Sequence, residues 1–184
     1  MTLQRHTLFD RLTTVHRPDC ALFADGPLPA QVMGPDDLAL RLGSETSGRY
    51  AAACRPVFED LRRVVGQLAG LMILAQLTES SEVACLAELE SCRRRWAEAG
   101  ERIGLLAAPD ALIPHREQIA AAHAFSGLAL GTFSELRPRG DNEAAFDVIS
   151  RHVRRAYAHL SAATAEKAGL AMVDLSHACC SCGR

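Results

Sequence analysis

From about residue 45 onward, apolar residues recur every three or four positions, in four runs separated by short turn signals. This pattern constrains the fold most strongly, because such spacing lines apolar side chains along one side of an α-helix. The first run is Cys54, Phe58, Leu61, Val65, Leu68, Met72 and Ala75. Pro56 falls near its start, so this helix begins or kinks there. The second run is Cys85, Leu89, Cys92, Trp96, Ala99, Ile103 and Leu106, with Thr78, Glu79 and Glu82 as a start signal.

Pro109-Asp110 closes that hairpin, and Pro114 suits the first turn of a third helix running to about Leu136. The third helix is apolar around most of its girth and is expected to be the most buried. Arg137-Pro138-Arg139-Gly140 forms a turn, and Asp141 caps a fourth helix. Its seam is Phe146, Ile149, Val153, Ala156, Leu160 and Ala163. Short connections between long helices force antiparallel neighbours. The expected fold is therefore all-α: an up-down-up-down four-helix bundle over residues 45–175, flanked by an irregular N-terminal arm (1–44) and a Cys-rich C-terminal tail (176–184).

The arm is punctuated by prolines at positions 18, 27, 29 and 35. Each fixes φ and removes a backbone donor, which favours extended or turn structure. Pro35 opens one short helical piece through Leu42, ended by Gly43. In the body, Gly66-x-x-x-Gly70 and Gly127-x-x-x-Gly131 lie mid-helix, where the missing side chains let helices approach closely. Aromatic residues are only 5% of the chain, so Leu, Ala, Val and Ile must build the core.

The net charge of -2 supplies no global field toward nucleic acid or anionic lipid. The basic runs Arg62-Arg63, 93–95 and 151–155 sit on helix faces near acids and lack interleaved aromatics, so they read as solvated faces. The most apolar stretch, residues 68–77, is far shorter than the roughly 20 residues a membrane span needs. No secretory leader pattern opens the sequence. These features predict a cytoplasmic protein with neither nucleic-acid nor membrane partner. Its seven cysteines should then be reduced, and seven cannot all pair within one monomer.

Three of those cysteines lie at the C-terminal end of the sequence. His177, Cys179, Cys180 and Cys182 place an imidazole and three thiols within six positions. Thiolate and imidazole are the ligands preferred by soft and borderline metals, and thiolate is also redox-active. The expected uses are zinc, copper(I), an iron–sulfur cluster completed from elsewhere, or thiol redox. The spacing departs from a zinc knuckle, so further ligands are needed. In an up-down bundle the starts of the first and third helices share an end with the finish of the fourth. That places Cys54 and His115 near the tail as candidate additional ligands. Two helix N-termini there would favour thiolate.

Cys85 and Cys92 are two turns apart on one seam, about 10.5 Å, and read as core packing. His152 and His159 have the same separation and cannot chelate one ion together. With His123, they are candidates to line a cofactor or substrate pocket between helices. Glu-x-x-His and phosphate-loop motifs are absent from the sequence.

The function expected from these features is a helical accessory or regulatory protein that binds metal, or senses redox state, through its C-terminal thiols. A protein partner or a second copy of the chain would complete the site. The alternatives are a small enzyme with a His-lined pocket, and an interaction module with an inert tail.

Overall fold

The computed structural model describes residues 33–77, 87–136 and 140–172. Among these residues the chain is all-α, with helices α1 (Pro35–Leu42), α2 (Glu45–Leu77), α3 (Ala87–Leu105), α4 (Ile113–Ser134) and α5 (Glu143–Ala162). Two 3-10 turns, Asp110–Leu112 and Glu166–Ala168, precede α4 and follow α5. The helix start expected at Thr78 lies outside the described residues.

Local signals account for several ends. Pro35 is the first residue of α1, and the Asp37 carboxylate accepts the Gly34 N–H at 3.1 Å. Gly43 ends α1 in the left-handed conformation, at φ 71°, which glycine adopts without steric cost. Asp141 Oδ1 accepts the Glu143 N–H at 3.1 Å and so covers one free donor of α5. The first long helix neither starts nor breaks at Pro56. It begins at Glu45, and Pro56 sits on its exposed side.

All the other helices pack on α2. Its buried face is accordingly wider than the seam expected from spacing: Tyr50, Ala51, Val57, Val64 and Leu71 are buried beside the seam residues. This overturns the expectation that the third helix is the most buried. α4 hides one stripe, including Ile119, Ala122, Ala129, Leu130 and Phe133, while Leu128 is exposed. Much of its remaining girth is alanine and glycine, which carry little apolar area to conceal.

The core forms two clusters along α2. The first joins Leu38 of α1 to Cys54, Phe58 and Leu61, to Ile103 and Ile119, and to Leu160 and Leu170. The second joins Val64, Leu68 and Leu71 to Leu89, Cys92, Phe133, Ile149 and Val153. Of the expected arm, residues 1–32 lie outside the described residues, and residues 33–44 are folded onto the helical body through Leu38.

Of the four glycines in the two Gly-x-x-x-Gly pairs, only Gly127 meets a neighbouring helix. A methyl there would lie 2.7 Å from the Trp96 ring, whereas at Gly66, Gly70 or Gly131 it would meet nothing within 4 Å. The tightest backbone approach is at Gly48, where a methyl would lie 2.5 Å from the Ala39 nitrogen and 2.7 Å from the Pro35 carbonyl oxygen. Gly48→Ala is therefore expected to destabilise the protein by about 1–3 kcal/mol through forced separation of α1 from α2. Gly66→Ala should instead be neutral or stabilising by up to about 1 kcal/mol, since alanine is the better helix former. Urea unfolding of the two variants checks the contrast, and equal midpoints would contradict it.

Candidate functional site

Cys54 and His115 each lie beside Tyr50, a residue that the apolar spacing does not single out as a site. Tyr50 lies one turn before Cys54 on α2, and its hydroxyl is 2.8 Å from His115 Nδ1 near the start of α4. The other ring nitrogen, Nε2, is 2.9 Å from the Ala163 carbonyl oxygen just past the end of α5. A carbonyl oxygen only accepts, so Nε2 carries the proton. In the neutral ring Nδ1 then accepts from Tyr50. The Cys54 thiol is also within hydrogen-bond reach of Tyr50. A chain of two hydrogen bonds therefore runs from the Tyr50 phenol through the imidazole to the end of α5, with the Cys54 thiol beside the phenol.

Cys54 and Tyr50 are buried, and His115 is half-buried. Cys54 is fully enclosed, and burial pushes its thiol up to about 11, with the Tyr50 hydroxyl pulling the other way. Burial, then the neighbouring Cys54, raises the Tyr50 hydroxyl above its ordinary value. The thiol is therefore protonated at neutral pH. Both nitrogens of His115 are engaged, so metal ligation by it requires losing Tyr50 or Ala163 as a partner.

His123 is bound to the neighbouring helix rather than to a pocket. Its Nε2–H donates to the Trp96 carbonyl at 3.1 Å, and the Trp96 indole N–H donates to the His123 carbonyl at 2.9 Å. The two rings stack at 4.7 Å with 3° between their planes. Gly100 and Gly127 leave room for this clamp: a methyl on either would fall within 2.7 Å of the His123 or Trp96 ring.

His152 and His159 flank one aromatic ring. Phe125 of α4 stacks on His159 at 5.4 Å and on His152 at 6.0 Å, and the Arg155 guanidinium lies over the same ring at 5.4 Å. His159 Nδ1–H donates to Gln118 Oε1 at 2.7 Å. His152 Nδ1 is buried without a hydrogen-bond partner among the described residues. Three candidate pocket histidines thus occupy two helix contacts, with His123 of α4 packed against α3 and the other two between α4 and α5.

Cys92 is buried at the α2–α3 contact, its thiol directed at the Val64 carbonyl oxygen at 3.8 Å. Burial pushes it up to about 11, against the pull of Arg95 and Arg93. This fits its expected packing role. Cys20, Cys85, His177, Cys179, Cys180 and Cys182 lie outside the described residues. Among the described residues no group of three His, Cys, Asp or Glu side chains is placed to hold a metal ion. No described helix is long and apolar enough to cross a membrane.

The chain turns back after α5. Ala165 and Leu170 bridge each other, Leu170 is buried, and the Ala171 carbonyl accepts from Arg62 at 3.0 Å. The described chain therefore leaves beside Arg62, two turns along α2 from Cys54.

The basic runs differ from one another. Arg95 and Arg102 share Asp60, and Arg93 pairs with Glu90. Arg62, Arg63, Arg151, Arg154 and Arg155 form no ion pair with another described residue. No protein-family model, curated protein or solved structure matches the chain.

Two outcomes follow. Tyr50→Phe strips a partner from both the Cys54 thiol and His115, and should lower unfolding stability by about 1–3 kcal/mol. A denaturation midpoint unchanged from wild type would refute the relay. For His123, desolvation lowers the imidazole from its ordinary 6.5, opposed by the bond to the Trp96 carbonyl. The unfolded chain then binds this proton before the folded one does, so its contribution is full above 6.5 and declines as pH falls. Trp96 is the single tryptophan. Its emission should titrate with a midpoint below 6.5, and His123→Gln should abolish that step.

Proposed function

We propose that the chain is a non-enzymatic helical accessory or regulatory protein of the cytoplasm, binding a metal or sensing redox state through Cys179, Cys180 and Cys182 with His177. The observation that carries this reading is the state of the two described thiols. Cys54 and Cys92 are both enclosed and held protonated by burial. A thiolate is the species that ligates and exchanges, and burial in apolar surroundings makes a cysteine inert. Thiol chemistry in this reading therefore falls to cysteines beyond the described residues, and the sequence concentrates three of them in its last six positions.

The body in this reading is a scaffold, and we infer an up-down-up-down bundle for its four long helices. Contacts that pair an early residue of one helix with a late residue of the next support it: Arg93 of α3 with Ser134 of α4, and Gln118 of α4 with His159 of α5. Zinc, copper(I) and an iron–sulfur cluster all suit a thiolate-rich donor set. A second copy or a partner protein would supply the missing ligands. The enzyme alternative draws less support, because His123 and His159 hydrogen-bond to neighbouring helices.

The test is elemental analysis and absorption spectroscopy of protein purified without oxygen, repeated after deleting residues 177–184. Stoichiometric metal with thiolate-to-metal bands, lost on deletion while the helical circular dichroism persists, is expected. A metal-free full chain whose terminal thiols also resist oxidation would reject the proposal.

A further inference from the structure

Three of the arginines that form no ion pair with a described residue line one apolar groove, and this goes beyond the reading just given. α2 and α5 diverge to leave a depression of about 620 Å³. That volume lies in the range of small-molecule sites, roughly 300–1,000 Å³. Val65, Ala69, Met72 and Val153 give it an apolar lining, and Gly66 contributes bare backbone over which an added methyl would meet nothing within 4 Å. Arg62, Arg63 and Arg154 also line it. At the Arg62 end, the bond from Arg62 to the Ala171 carbonyl holds Met172 as a wall.

The charge pattern selects the occupant. A second copy packed face to face across this groove would set its arginines against the same arginines, which opposes association. A neutral apolar ligand would leave the Arg63 and Arg154 guanidinium groups, and the charge of Arg62, unanswered. A carboxylate matches the fork of a guanidinium with two parallel hydrogen bonds. From Arg62 to Met72 the groove follows ten residues of helix, about 15 Å, comparable to an extended acyl chain of roughly a dozen carbons.

We propose that the α2–α5 groove is a binding site for a free, carboxylate-headed amphiphile of medium chain length. The head lies among Arg62, Arg63 and Arg154, and the tail runs over Gly66 and Ala69 toward Met72. No covalent step is involved.

The test uses the full chain and isothermal titration calorimetry with decanoate, held below its micellar concentration. Saturable binding of one decanoate per chain is expected, with decan-1-ol at least roughly ten-fold weaker, the loss of one charge-assisted contact or more. Replacing Arg63 and Arg154 together by alanine should weaken decanoate by a similar factor and leave decan-1-ol nearly unchanged. Gly66→Trp fills the floor at a position with open space above it, and should abolish decanoate binding while circular dichroism stays native. Failure of decanoate to saturate would overturn the proposal, as would equal binding by the Gly66→Trp chain. So would binding confined to an acidic amphipathic peptide or to anionic vesicles. Deletion of residues 177–184 leaves this titration unchanged, so the outcome is separable from that of the metal test.

Discussion

The structure depends on the burial of one helix. α2 is 33 residues long and is the element on which every other described helix packs. A helix in that position needs more than an apolar seam, and Tyr50, Ala51, Val57, Val64 and Leu71 supply the extra width. The packing is possible at its N-terminal end because Gly48 lets the backbone of α1 lie against it, and Leu38 then closes that end of the core. Pro56 is tolerated within α2 on the side where nothing packs. Hydrophobic burial along α2 thus sets which faces of the other helices turn inward, and so which polar groups lie next to one another.

Those polar groups bind helices to each other. Tyr50, His115 and the Ala163 carbonyl connect α2, the start of α4 and the end of α5 by two hydrogen bonds of 2.8 and 2.9 Å. Trp96 and His123 connect α3 to α4 by two more and a ring stack. Each is a pair of half-buried or buried groups that would be costly to leave unbonded. An aromatic-poor core built from alanine and leucine packs with few shape-specific side chains. Reciprocal bonds of this kind fix the register that such packing leaves loosely defined.

Helix existence and facing were legible in the sequence because both follow from periodicity. Ile149, Val153, Ala156 and Leu160 are buried as their spacing requires, and Pro35, Gly43 and Asp141 act at the helix ends as their chemistry suggests. Which helix is central was not legible, because apolar content around a helix does not say how many neighbours it has. α4 is apolar and partly exposed, whereas α2 is amphipathic and central. Counting helix directions places Cys54 and His115 toward one end of the expected bundle. Tyr50 beside both was not legible, since a tyrosine at a seam edge reads as packing until its hydroxyl partner is known.

The charge distribution shows the same limit at the surface. In the sequence all three basic runs have acids nearby. Folding directs Asp60 toward α3, where it meets Arg95 and Arg102, and Glu90 takes Arg93. The arginines of α2 and α5 that face the other way form no ion pair with another described residue. A chain of net charge -2 thereby carries a locally basic, apolar-floored face. Arg62 ties the returning chain to α2 through the Ala171 carbonyl, whereas Arg63 and Arg154 form no ion pair with a described residue, so their charges add little to the stability of the fold.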